Sequence, residues 1–474
     1  MENPTTISSP PQKKKWKKRL KIAGGIVLIL VVSLGVFFVS NRSDVPAESI
    51  QNENLQVSPF LIPNKENAFF KLRYLSRKVN EDLAQKETAS GETFSEVLKA
   101  FDSTTPLSFE EQKILKAMES YFLLMDEVFA MQKYQNPNTA SPQEMSSEGE
   151  MSEAFEQRAP FDVVRLQKMR VVSLIEQGKT VEAARILSDL FSFFRMTSEG
   201  NADLAEFMIF RVALVDILLK NISPILRSGD FSASALAKIQ SAVSGPAGRK
   251  TALEKAIKIE YLWQDAMFLE TLSSMRAENA YFSHPNRTRR YLADWFQYIL
   301  DPRFVPRDRF VRNIARKGQK PNFLLKSFSP NGAGKVLAGV TMATYDSYFL
   351  RQFEVETKMR MFVVDLALQR YFREKKTLPE TLERLSPEYL KVVPVDARGQ
   401  RFEYLPEQGF LRSTVKTLGG EVLTWEIQRA QGDSRVEFSR ENRTLSHDEI
   451  VRPSADGAEV AGVLETAQHV CRGG

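Results

Sequence analysis

His284, His447 and His469 are the only histidines of this 474-residue chain, and Cys471 is its only cysteine. A protein metal site of the zinc type needs three or four ligands, usually drawn from such residues at short fixed spacings. No two of these histidines stand at helix-ligand spacing, and neither an HExxH run nor paired CxxC motifs occur. His469 and Cys471 together supply two ligands, which is short of a site. A lone cysteine also excludes any disulfide within the chain. The run Ser329-Pro330-Asn331-Gly332-Ala333-Gly334-Lys335-Val336 has the outline of a phosphate-cradling loop. It has serine where the first glycine belongs and valine where a hydroxyl should hold magnesium, so a turn capping the following helix explains its glycines better. No Gly-x-Ser-x-Gly elbow is present for a serine hydrolase. Acid pairs for glycoside hydrolysis are best represented by Glu260 and Asp265, beside Tyr261, Trp263 and Phe268. The plainer account of that stretch is an amphipathic helix burying its aromatics. These residues indicate no cofactor and no metal.

Charge is the stronger signal. The formal net charge is +6 and the pI about 9.1. Residues 1–21 alone carry Lys13, Lys14, Lys15, Lys17, Lys18, Arg19 and Lys21 against Glu2, a net of +6, which leaves the other residues neutral as a group. The basic balance therefore belongs to a tail and gives no footprint for nucleic acid. Residues 22–39 follow as an uncharged run rich in Val, Ile and Leu. As a helix it would be about 27 Å long, enough for the hydrocarbon core of a bilayer. Cations on its N-terminal side resist translocation, so they are expected to orient the chain with its tail in the cytoplasm and its bulk outside. A cleaved signal peptide is the competing reading, but its apolar region is ordinarily shorter, about 7–15 residues.

A second basic stretch covers 287–326. Arg287, Arg289, Arg290, Arg303, Arg307, Arg309, Arg312 and Arg316, with Lys317, Lys320 and Lys326, face only Asp294, Asp301 and Asp308, a net of +8. Tyr291, Trp295, Phe296, Tyr298, Phe304 and Phe310 are interleaved. Such a patch suits an anionic partner: lipid headgroups, an acidic protein or glycan phosphates. The plainer reading is a solvated helix face paired with the acidic remainder.

The elements that must position these groups read as mainly α. Residues 40–64, with three prolines, suggest a linker, and 65–134 a helical segment. In the latter, Ser108 and Glu111 form a capping box ahead of Leu115, Met118, Phe122, Met125 and Phe129. Residues 135–160 are polar and acidic, a second linker. Residues 161–335 form a helical domain whose first two helices turn at Gly178. Gly178-Lys179-Thr180-Val181-Glu182-Ala183-Ala184 looks like the turn of a tetratricopeptide (TPR) hairpin, without a second copy at 34-residue spacing. A long helix near 336–374 leads into β signals at Phe402, Tyr404, Phe410 and 422–427 within a unit spanning 336–428, and 429–474 is a polar tail.

The stretch from Lys358 to Phe410 carries a resemblance. Leu378-Pro379-Glu380-Thr381-Leu382, Pro387-Glu388-Tyr389-Leu390, Val393-Pro394-Val395-Asp396 and Gly399-Gln400-Arg401-Phe402-Glu403-Tyr404 follow a long helix. This resembles the C-terminal part of type II secretion major pseudopilins, in which a helix, a turn and a loop precede a small antiparallel sheet. The order of the Gly178 hairpin, the helical middle, the 331–335 turn and this ending also resembles a family of uncharacterised single-span envelope proteins of planctomycete- and verrucomicrobium-type bacteria. The resemblance implies an envelope location and no known activity. Three departures limit it. The apolar run 22–39 lacks the glutamate of pilin assembly, and Ala397 follows Asp396 where the family has proline. Leu411-Arg412-Ser413-Thr414-Val415 likewise replaces a glycine- and aspartate-rich ending, which weakens the basis for a calcium site.

The expected protein is mainly α, with a single N-terminal transmembrane helix, an α-helical hairpin (TPR-like) domain and a small α+β pseudopilin-like C-terminal unit. Its expected role is a membrane-anchored extracytoplasmic scaffold of the bacterial envelope, more an interaction protein than an enzyme. Its expected partners are the inner membrane and other envelope or secretion proteins, with no nucleic acid. The alternative is a glycan-binding or glycan-hydrolysing protein using carboxylates in a helical cleft.

Overall fold

The computed structural model describes residues 63–88, 91–101, 106–135, 159–199, 204–244, 249–278, 283–300, 331–417 and 420–427, with scattered positions between 32 and 55. The chain is mainly helical, with one small sheet. The first helices are α1 (Ala68–Gln85), α2 (Phe94–Ala100), α3 (Phe109–Ala117) and α4 (Glu119–Ala130). Capping decides where several start. Ser108 Oγ accepts from Glu111 N at 3.2 Å while Glu111 Oε2 accepts from Ser108 N at 2.7 Å, the expected capping box. A second box, Thr93 with Glu96, starts α2. The helix expected to run on from Ser108 is broken: Met118, at φ −100° and ψ 3°, separates α3 from α4 and buries its side chain.

Helices α5 (Ala159–Glu176) and α6 (Thr180–Glu199) form the hairpin expected at Gly178. Gly178 adopts φ +74°, Lys179 N donates to Leu174 O at 2.8 Å and Gly178 N to Ile175 O at 2.9 Å. That pair of bonds is a Schellman motif, which satisfies the last carbonyls of α5. Ala183 and Ala184 are buried, and their small side chains permit close approach of the two helices. Next come α7 (Leu204–Phe207), a π-helical turn (Met208–Ala213) and α8 (Leu214–Leu219). Helix α8 stops before Lys220 and the chain restarts as α9 (Ile222–Ser228), because Asn221 takes the left-handed conformation at φ 57°. The Lys168 ammonium, itself buried, donates to the carbonyls of Ile217 and Lys220 and so caps the end of α8.

Helices α10 (Ala233–Ser244), α11 (Arg249–Glu278), α12 (Pro285–Leu300) and α13 (Gly332–Lys375) follow. At 44 residues α13 is about 66 Å long. It ends at Lys376 in the left-handed region and leads through a 3-10 turn, Leu382–Leu385, to a sheet. The strands β1 (Glu403–Leu405), β2 (Phe410–Lys416) and β3 (Val422–Glu426) pair antiparallel in the order β1-β2-β3, with Tyr404 opposite Leu411 and Leu411 opposite Trp425. The sheet's Leu411, Leu423 and Trp425 pack on α13, Trp425 lying 5.9 Å from Phe362 between ring centroids. A helix followed by a small antiparallel sheet is thus present where the sequence suggested one.

Two hydrophobic cores result. The larger joins α1–α6, α8–α10, the C-terminal half of α13 and the sheet, with Phe129, Tyr134, Phe193 and Phe210 meeting edge-on near its centre. The smaller lies between α11 and α12 and takes in Leu204, Phe207 and Phe349. Helix α13 serves both, Phe349 in the smaller and Val355 to Leu368 in the larger. No helix among the described residues is long and apolar enough to cross a membrane. Of the apolar run 22–39 only Val32, helical and exposed, falls among them. The basic tail 1–21, residues 136–158 of the expected linker 135–160, and the expected tail 429–474 lie outside the described residues.

Candidate functional site

The basic, aromatic stretch is where the sequence placed an anionic partner, and its first part is α12. Pro285 opens the helix, where its fixed φ suits the first position and its missing N–H loses nothing. Thr288, Leu292, Ala293, Phe296 and Ile299 are buried on one side. The opposite side carries Arg287, Arg290, Tyr291, Asp294 and Tyr298, which helical spacing gathers on one face. Arg290, Tyr291, Asp294 and Tyr298 are exposed, and Arg287 is half-buried.

The three arginines of α12 do different work. Arg289 points inward and forms a two-pronged ion pair with Asp265, Nε to Oδ1 at 2.7 Å and Nη2 to Oδ2 at 2.6 Å. It therefore holds α12 to α11 and does not belong to an outward-facing patch. Arg287 and Arg290 remain on the outer face. Arg303, Arg307, Arg309, Arg312 and Arg316 lie outside the described residues.

The Arg289 pair also bears on the acid pair Glu260 and Asp265. Both oxygens of Asp265 are engaged by Arg289, and Glu260 Oε1 accepts from Gln264 Nε2 at 2.9 Å. Tyr261 is fully buried between them in sequence. Burial, reinforced by the Asp265 charge, pushes its hydroxyl up to about 12, and Asn52 donates to that hydroxyl at 3.0 Å. The group is a neutral structural phenol.

Asn52 belongs to the stretch read as a linker, and it is not alone in touching the fold. Asp44 Oδ2 accepts from Asn286 N at 2.8 Å and its Oδ1 from Arg287 N at 2.9 Å. A carboxylate from more than two hundred residues upstream thus caps the first turn of α12, satisfying two N–H groups that a helix leaves without partners. Leu55 is fully buried in the smaller core. Asp44, Asn52 and Leu55 are therefore three points at which the N-terminal segment meets α11 and α12. Nothing in the local sequence signals this contact.

The phosphate-loop look-alike is also structural. Asn331, at φ 58°, accepts from His284 N at 2.9 Å and donates to Thr288 Oγ1 at 2.9 Å. A Cβ on Gly334 would lie 1.9 Å from Thr288 Oγ1. The glycine is there to let α13 meet α12.

Elsewhere, buried carboxylates are held by internal partners. Asp396 is fully buried and accepts five bonds: Arg398 N and Gln400 N on Oδ1, Ser413 Oγ, Thr414 Oγ1 and Thr414 N on Oδ2, at 2.6 to 3.2 Å. Burial alone would raise its pKa, but the bonds from Thr414, Gln400 and Ser413 outweigh it and hold the carboxyl below its usual range. Two hydroxyls and a backbone N–H of β2 thus fill one oxygen of this carboxylate. Lys358 bridges Asp216 at 2.8 Å and Glu354 at 2.9 Å. Burial works against its charge, yet these two acids outweigh it and hold the ammonium above its usual value. Asp365 differs. It is fully buried on α13 with Trp425 Nε1 at 3.3 Å, and burial drives its carboxyl upward against the opposing pull of Arg227, Ser223, Trp425 and Gln369.

No cluster of three or more His, Cys, Asp or Glu suited to a metal occurs among the described residues. His447, His469 and Cys471 lie outside them. Comparison of the chain with protein-family models, curated proteins and solved structures gave no match. The geometry therefore stands by itself: a docked N-terminal strap, an outward basic and aromatic helix face, and acids tied into the fold.

Proposed function

We propose that this chain is a membrane-anchored scaffold or interaction protein of the bacterial envelope, with residues 1–21 in the cytoplasm, 22–39 spanning the inner membrane and the folded part outside. The observation that supports it most is the docking of Asp44 on α12, five residues past the end of the apolar run. A strap held so close to the run gives a folded body joined to its anchor with little slack. The seven cations before the run supply the orientation. The antiparallel hairpin at Gly178 fits a TPR-like binding surface, and the α13–sheet unit fits the pseudopilin-like ending. The glycan-hydrolase alternative loses its best acid, since Asp265 is committed to Arg289.

Cross-linking of intact cells, followed by purification of the tagged full-length chain, tests the scaffold role. The expected result is co-purification of other envelope proteins in fixed proportion to the chain. Recovery of the chain alone, combined with measurable glycan hydrolysis by the purified protein, contradicts it.

A further inference from the structure

We infer that Asp365, Arg227 and Glu426 form a pH-sensitive latch on the C-terminal end of β3. When the buried Asp365 carboxyl gives its proton to solvent, Arg227 passes to it from Glu426 and the strand end loosens. The latch is independent of the membrane topology proposed above. Three elements meet at this carboxyl. Helix α9 brings Ser223 and Arg227, one turn apart, α13 brings Asp365 and Gln369 at the same spacing, and β3 brings Trp425. Trp425 Nε1 donates to Asp365 Oδ2 at 3.3 Å. The next residue of the strand is held by Arg227, whose Nη2 donates to Glu426 Oε1 at 3.1 Å and Nη1 to the Glu426 carbonyl at 3.4 Å. One guanidinium thus serves two acids in different surroundings. Asp365 is fully buried, whereas the Glu426 side chain is 50% exposed. A charged Asp365 acts on Arg227 through the low-dielectric interior while Glu426 competes through water, so the ionised buried acid wins the cation. While Asp365 is neutral, Glu426 keeps it. Burial favours that neutral form, and Arg227 is the charge that opposes it. Other charges on the packed elements are committed elsewhere: Lys358 to Asp216 and Glu354, Arg360 to Glu356, Arg370 to Gln240 and the Tyr389 carbonyl, Arg373 to Asp230, and Arg412 to Glu403. Departure of Arg227 releases the main chain and side chain of Glu426 together. The packing of Trp425 and the bond from Ile427 N to Gly409 O at 2.8 Å are then left to hold that end of the strand.

The test is hydrogen exchange of the full-length chain between about pH 4 and pH 9, with rates corrected for the intrinsic pH dependence of amide exchange. The readout compares residues 422–427 with helix α6 of the larger core. In the unaltered chain the protection of 422–427 is expected to fall about tenfold more than that of α6 as pH rises, the change that one pKa unit of linkage produces. Asp365→Asn, which cannot ionise, is expected to hold 422–427 at its low-pH protection throughout. Glu426→Gln removes the low-pH partner of Arg227 and is expected to leave 422–427 weakly protected at every pH. Protection of 422–427 that does not change with pH, or that falls only in parallel with α6, overturns the latch. So does an Asp365→Asn chain that repeats the pH response of the unaltered one, or a Glu426→Gln chain that matches its protection at low pH.

Discussion

Single residues in this fold do opposite things with the same chemistry, and pH separates them. Asp396 is buried with five donors, and its carboxyl is held below its usual range. Its stabilising contribution is therefore present above the unfolded carboxylate value of about 3.9 and fades as pH falls through the folded value. Asp396→Asn is expected to cost about 2–3 kcal/mol at neutral pH, the loss of charge-assisted bonds, and progressively less as pH drops below about 4. Asp365 has its carboxyl raised by burial, so the sign reverses. It destabilises the fold as pH rises above the unfolded value, and Asp365→Asn is expected to narrow or cancel that loss at neutral pH while changing little near pH 4. Urea unfolding at the two pH values checks both, and parallel curves for the two variants would refute the assignments. Gly334 is the steric counterpart. Gly334→Ala puts a methyl into Thr288 Oγ1 and is expected to cost about 1–3 kcal/mol, read as a lowered unfolding midpoint. None of these roles was visible from residue type alone. In the sequence Asp396 stands out only through a resemblance, and the glycines of 331–335 indicate a turn without the partner helix that explains them.

Elements were more legible than residues, for a physical reason. Capping and apolar spacing are local, and the Ser108–Glu111 box, the Gly178 turn, the long helix and the three strands could all be read from neighbouring residues. Ser108→Ala is expected to lower stability by about 1 kcal/mol through loss of the cap, measurable by thermal unfolding. What local pattern cannot show is a break imposed from outside. Met118 and Asn221 interrupt helices that spacing alone would continue, since both sit where packing redirects the chain. The start of the basic stretch is a helix face, as its plainer reading has it, and Pro285 with the buried series Thr288, Leu292, Phe296 and Ile299 sets its bounds. Its arginines could not be sorted from sequence, because Arg289 is distinguished only by Asp265, which a separate helix supplies.

At the scale of the molecule, two cores share one long helix, and the N-terminal strap is bonded to the smaller. Sequence reading treated 40–64 as a spacer, since prolines and polar residues show no partner without the fold. Asp44, Asn52 and Leu55 of that stretch instead cap a helix, bond to a buried tyrosine and fill a core. Asp44→Ala is accordingly expected to loosen the strap and raise hydrogen exchange at the first turn of α12 while leaving the larger core protected. The central claim is the topology that makes this strap a tether. Single-cysteine labelling of spheroplasts with a membrane-impermeant maleimide, with lysed cells as the full-reaction reference, tests it most directly. The account predicts that Cys471 reacts fully before lysis while a cysteine introduced by Thr5→Cys into a Cys471→Ser chain reacts only after it, and reaction of Cys471 only on lysis would contradict it.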